Sequence, residues 1–262
     1  MKQMKQQTPI SASAPADVAA LCRRAEAGDA EAQFALAHCY VEGRGVAADE
    51  AEAVRWFRAA AERGHVKAQY NLSLCYRAGR GVAADVGEAV RWVRAAAAQG
   101  LAEAQFNLGA SYAAGWGVAA DEAEAVRWFR AAAAQGLPEA QLYLSLCYAE
   151  GRGVAADEAE ALRWLRAAAE QGLPVAQCNL GLRYDRGQGV APDVGEAVRW
   201  FRAAAEQGLP EAQYNLGMCY QLGRGVAADA AEARTWFARA TAQGDADAQA
   251  ALERMGGGPA AS

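Results

Sequence analysis

Histidine and lysine are nearly missing from this chain: 262 residues hold two histidines, His38 and His65, and three lysines. With so little imidazole, and no C-x-x-C or H-x-x-x-H spacing, the sequence supplies neither metal-ligand spacing nor a histidine-centred catalytic constellation. No metal or cofactor is expected. Net charge is −5, which excludes nucleic-acid binding by general basicity. No apolar run is long enough to cross a bilayer, so no membrane partner is expected. The opening MKQMKQQTPISASAPA carries positive charge without an apolar core, unlike a secretory signal. A cytoplasmic location is the expectation.

Disulfides are not expected either, despite six cysteines. Cys39, Cys75, Cys147 and Cys219 recur at one repeat position, replaced by Ser111 and Arg183 in the other two units. Equivalent residues of neighbouring repeats stand ~8–10 Å apart, whereas a disulfide needs Cα atoms within about 7 Å. Free thiols acting as small apolar residues are expected.

What the chain has in abundance is repetition. Glycine leads a similar phrase at Gly28, Gly64, Gly100, Gly136, Gly172 and Gly208, and again at Gly244, with an unbroken period of 36 residues. Such a period marks a solenoid, in which each unit buries its apolar face against its neighbours. The spacing predicts an all-α array over 17–255: a cap at 17–27, repeats at 28–63, 64–99, 100–135, 136–171, 172–207 and 208–243, and a cap at 244–255. Residues 1–16 read as a disordered tail, and 256–262 as a flexible end.

Each repeat is read as two helices. Pro138, Pro174 and Pro210 stand in the first turn of helix A, where a missing N–H costs nothing. Ala32, Leu36 and Tyr40 set an apolar stripe, and the pair Gly43 and Gly45 ends the helix. Helix B opens at Asp49, Asp85, Asp121, Asp157, Asp193 and Asp229, each followed three residues on by glutamate, the spacing of a capping box. Trp56, Trp92, Trp128, Trp164, Trp200 and Trp236 then form a core column.

The phrase A-Q-x-N-L-x-x-x-Y-x-x-G-x-G-V-x-x-D-x-x-E-A-x-x-W-x-x-x-A-A-x-x-G, carried by all six units over 28–243, resembles the Sel-1-like repeat family, a relative of the tetratricopeptide repeat. The resemblance implies a right-handed α-superhelix and a role as adaptor or scaffold in protein complexes. It also implies that helix A lines a concave groove. That groove would present Phe34, Tyr70, Phe106 and Tyr214 at the seventh position of a repeat, and Leu74, Leu146, Leu182 and Met218 at the eleventh. Such a surface suits an apolar peptide or an amphipathic helix.

The eighth position carries Asn71, Asn107, Asn179 and Asn215. An amide column can hold the backbone of an extended peptide, or it can bond the neighbouring repeat and belong to the fold. Two departures from the consensus are candidates for specificity. Trp116 replaces arginine in the third glycine turn, as a contact residue or a cover for the core. Arg183, Asp185 and Arg186, with Gln188, replace apolar or small residues and arginine in repeat five, as a contact patch or drift on a solvated face. On helix B, paired arginines such as Arg55 and Arg58 form a stripe, with Glu52 one turn ahead to neutralise it.

The expected function is a non-catalytic scaffold binding a protein or peptide segment. An alternative comes from cysteine-rich relatives described as β-lactam-binding or weakly β-lactamase-like. The chain lacks S-x-x-K, S-D-N and K-T-G and those relatives' within-repeat cysteine pairs. His38 and Cys39 point about 100° apart on a helix and form no dyad.

Overall fold

The computed structural model describes residues 18–256, which form fourteen helices and no strand. After α1 (Val18–Glu26) come six pairs: α2 (Ala30–Glu42) with α3 (Glu50–Glu62), α4 (Val66–Ala78) with α5 (Val86–Ala98), α6 (Ala102–Ala114) and α7 (Glu122–Ala134), α8 (Pro138–Glu150) with α9 (Glu158–Glu170), α10 (Pro174–Arg186) with α11 (Val194–Glu206), and α12 (Pro210–Leu222) with α13 (Ala230–Thr241). The last helix is α14 (Ala246–Gly256). Tertiary contacts gather these into two compact units, Met1–Ala120 holding α1 to α6 and Asp121–Ser262 holding α7 to α14. The tails expected at 1–16 and 256–262 lie outside the described residues, apart from Gly256, which ends α14.

Punctuation sets the helices as the sequence indicates, with one correction. Asp49 caps α3 by accepting from the amides of Ala51 and Glu52, and Asp85, Asp121, Asp157, Asp193 and Asp229 cap the later B helices the same way. The capping box is not closed. Its reciprocal half would take the aspartate N–H, but that group already donates to a tyrosine carbonyl of the preceding helix A, as Asp49 does to Tyr40 at 3.0 Å. The third-position glutamate is left free to pair with arginine one turn on: Glu52 with Arg55 at 2.9 Å, and likewise Glu160 with Arg163 at 2.7 Å.

The glycine pair has two jobs rather than one. Gly79 takes φ +65 and ends α4, its N–H returning to the Cys75 carbonyl. Gly81, also at φ +65, lies so close to the backbone of Glu50 and Ala51 that an added Cβ would collide with it. One glycine stops the helix; the next lets the turn rest on the start of the previous helix B.

Leucine forms the centre of both units: Leu36, Leu72 and Leu108 in the first, and Leu144, Leu180 and Leu216 in the second, are fully buried. Alanines such as Ala60, Ala96 and Ala204 are likewise inaccessible and bring helices close. The tryptophan column is buried at Trp56, Trp92 and Trp236 and half-buried at Trp128, Trp164 and Trp200. All six cysteines are free thiols.

A buried glutamine in every unit ties successive repeats. The Gln69 side-chain amide donates to the Ala61 carbonyl, in the last turn of α3, and its oxygen accepts from Gln99. Gln177 does the same with Ala169 and Gln207, and Gln213 with Ala205 and Gln243. The last carbonyls of a helix have no partner within it, so each glutamine caps the preceding helix B from the side. In the first repeat Arg63 stands where later units have glutamine, and the Gln33 oxygen is buried without a partner.

Candidate functional site

Side chains at the seventh, eighth and eleventh repeat positions lie on helix A in both units. In the first unit most of them are already engaged. Phe34 lies 4.6 Å from His38 and stacks on His65 at 4.5 Å. The Asn71 amide bonds His38 Nε2 at 3.2 Å. Because an amide nitrogen can only donate, that ring nitrogen accepts and His38 is neutral. Burial also holds the His38 pKa below its usual value. Asn107 donates to the Tyr70 hydroxyl at 3.0 Å. Leu74 and Phe106 are half-buried.

The second unit is more open on the same face. Tyr143 takes the eighth position of its repeat and is 44% exposed, tilted over Phe129 at 5.5 Å. Asn215 reaches the thiol of Cys178 at 3.7 Å, and Tyr214 packs on Phe237 at 5.8 Å. The positions whose counterparts engage Asn71, Asn107 and Asn215 hold, ahead of Asn179, Leu142 and Leu146. Neither has a polar side-chain atom, and Asn179 makes no side-chain hydrogen bond among the described residues.

Asn179 instead lines a cavity of about 190 Å³ with Ser145, Leu146, Leu182, Arg183 and Arg186. A second cavity, of about 70 Å³, adjoins it through the shared Leu182 and is walled by Phe201, Asn215, Met218, Leu222, Asp185 and Arg224. The repeat-five departures are thus brought together on one face. Arg183 is ion-paired with Glu158, and Asp185 with Arg224 at 2.7 Å. Arg186 is exposed and forms no ion pair among the described residues. Trp116 lies in the first unit, half-buried against its core.

The helix-B arginines are engaged in the fold. The first of each pair covers its tryptophan, Arg163 lying 4.3 Å over the Trp164 ring, and its guanidinium holds Glu160 below the usual carboxylate range. The second reaches a tyrosine hydroxyl of the next helix A, as Arg58 does to Tyr76 at 2.6 Å and Arg202 to Tyr220 at 2.9 Å. The sequence assigns the buried glutamines no role of their own and places the tyrosine position, from Tyr40 on, only in the apolar stripe. The signal was a polar residue recurring without exception inside an apolar stripe.

Thiol chemistry is disfavoured by the same packing. Burial pushes Cys178 up to about 12 and Cys219 up to about 11, so both stay protonated and poorly nucleophilic near neutrality. Among the described residues no three His, Cys, Asp or Glu side chains converge to hold a metal ion, and no helix is long and apolar enough to cross a membrane.

The Sel1 repeat family model matches residues 30–65, 66–101, 102–137, 138–173, 174–209 and 210–245. Among solved structures, the chain is similar to c5321, a protective antigen of uropathogenic Escherichia coli strains with an SLR fold: TM-score 0.88 and 39% identity, covering 91% of this chain and 51% of that one. The chain therefore spans about half the length of that antigen. A Sel1 repeat protein from Oxalobacter formigenes matches with TM-score 0.77 and 35% identity, over 83% of this chain and 89% of that one. The immunity protein PA5088 of Pseudomonas aeruginosa, at 20% identity and TM-score 0.51 over 88% and 83%, shares the fold. No curated protein matches at a significant level.

Proposed function

The chain belongs to the Sel1 repeat family, and from that membership we propose that it is a non-catalytic scaffold whose helix-A face, in the second unit, receives a peptide segment of a partner protein. Sel1 repeat folds in general mediate protein–protein interaction. The observation that carries this proposal is the pair of adjoining cavities at Leu182: Leu222, 57% exposed, lines the smaller one, and the exposed Tyr143 stands on α8, the helix that supplies Ser145 and Leu146 to the larger one. Large apolar side chains beside a cleft are where binding energy concentrates.

The test is selection of a random-peptide display library on the immobilised full chain, beside a double variant, Tyr143→Ala with Leu222→Asp. Both residues are exposed, so the variant keeps its helical circular-dichroism spectrum. Peptides enriched on the native chain and lost on the folded variant support the proposal. No enrichment, or equal retention by the variant, overturns it.

A further inference from the structure

The two adjoining cavities differ in charge, and the difference specifies a ligand. In the smaller one the Arg224 guanidinium is neutralised by Asp185, leaving Leu182, Phe201, Met218 and Leu222 as an apolar pocket. In the larger one Arg183 is neutralised by Glu158, but Arg186, and about two turns earlier on the same helix the Asn179 amide, have no such partner among the described residues. An unpaired guanidinium and a free amide lining one cavity with Leu146 and Leu182 match a carboxylate carried on a peptide: the guanidinium takes the carboxylate oxygens and the amide takes a main-chain group.

Both cavities are walled by α10, one towards α8 and the other towards α12. They therefore lie about one interhelical spacing apart, ~8–10 Å, and that spacing sets the one on the peptide. A polyproline II segment has three residues per turn at about 3.1 Å each, so side chains three apart project from one side, roughly 9 Å from each other. A β-strand would place residues three apart on opposite faces.

We propose that the helix-A face of repeats four to six recognises an internal polyproline II-like segment bearing an acidic side chain and a large apolar side chain three residues apart. The acidic group pairs with Arg186 and the apolar one fills the pocket under Leu222. This rests on the scaffold reading above and gives it a sequence specificity. An internal segment is specified because two adjoining pockets continue the track across successive repeats.

The experiment uses peptides recovered by display on the full chain, resynthesised with amidated C-termini and titrated by fluorescence anisotropy. The expected set carries Asp or Glu three residues from Leu, Ile, Met or Phe. Arg186→Glu should weaken it by at least about tenfold, the scale of a lost charge-assisted hydrogen bond, and replacing the peptide's acidic residue by Lys should restore binding to that variant. Arg186 is exposed, so a helical spectrum verifies that the variant is folded. Selected peptides without an acidic residue, unchanged affinity for Arg186→Glu, or loss of binding on amidation would each overturn the inference while leaving the scaffold reading standing. Absence of any selected peptide sinks both.

Discussion

The two units are built from the same phrase, yet they treat the same repeat position differently. In the first, Asn71 and Asn107 find His38 and Tyr70 on the preceding repeat. In the second, Asn179 finds a position held by Leu142 and Leu146 and stays unbonded beside a cavity. An identical residue is therefore part of the fold at Asn71 and Asn107 and, through Cys178, at Asn215, and part of a surface at Asn179 of the second unit. What decides is the side chain 33 to 37 residues earlier, not the asparagine itself.

The comparison sharpens if what the units share is separated from what they do not. The shared part is the buried glutamine. Gln69→Ala in the first unit and Gln177→Ala in the second each remove two hydrogen bonds without orphaning their partners: the Ala61 and Ala169 carbonyls keep the Gly64 and Gly172 N–H groups, and the Gln99 and Gln207 amides keep the Gly64 and Ala203 carbonyls. Each should cost about 2 kcal/mol, the net worth of two hydrogen bonds, read by chemical denaturation; a difference between them larger than about 1 kcal/mol would break the idea of a common scaffold. The unshared part is the asparagine. Asn107→Ala should cost about 1 kcal/mol through the lost Tyr70 bond, whereas Asn179→Ala should leave the melting temperature unchanged. Equal losses would show that Asn179 is structural after all.

A smaller effect runs the other way. Arg63→Gln supplies the first repeat with the amide that later repeats have, giving the orphaned Gln33 oxygen a donor. A gain of about 0.5–1.5 kcal/mol is expected, and a calorimetric melt no higher than native would refute it. The smallest effect is acid sensitivity confined to the first unit, which holds both histidines. The His38 pKa is depressed by burial in the folded state, so below about pH 6.5 the unfolded chain binds a proton that the folded chain resists. Stability from this group is full above that pH and falls as pH drops from about 6.5 towards the lower folded value. Hydrogen exchange at pH 7.5 and 5.5 should show added opening in α2 and α4 and none in α10 and α12; His38→Gln should abolish the difference.

Much of this was legible in the sequence. The period, the aspartate caps, the leading prolines of helix A and the tryptophan column are local or strictly repeated, and a repeated local signal needs no tertiary knowledge. The partition of the asparagines was not legible, because it depends on pairs 33 to 37 residues apart whose meeting is a property of helix packing. The capping box misled for a related reason: Asp49 has the right glutamate three residues on, but the Tyr40 carbonyl reaches its N–H first. The cluster of Arg183, Asp185 and Arg186 was visible as a departure from the consensus. Its charge balance was not, since Glu158 and Arg224 come from the repeats on either side.

The glutamine rungs have a consequence for how such a chain changes over generations. Each rung joins a carbonyl eight residues back and an amide thirty residues ahead, and nothing farther. Deleting residues 172–207 would join Gln171 to Gly208 in phase, and Gln213 would meet Ala169 in place of Ala205, one alanine carbonyl for another. Array length is therefore open to unequal recombination in whole units, while the amino acids on the helix-A face drift independently. The number of repeats and the identity of the ligand can be inherited as separate traits.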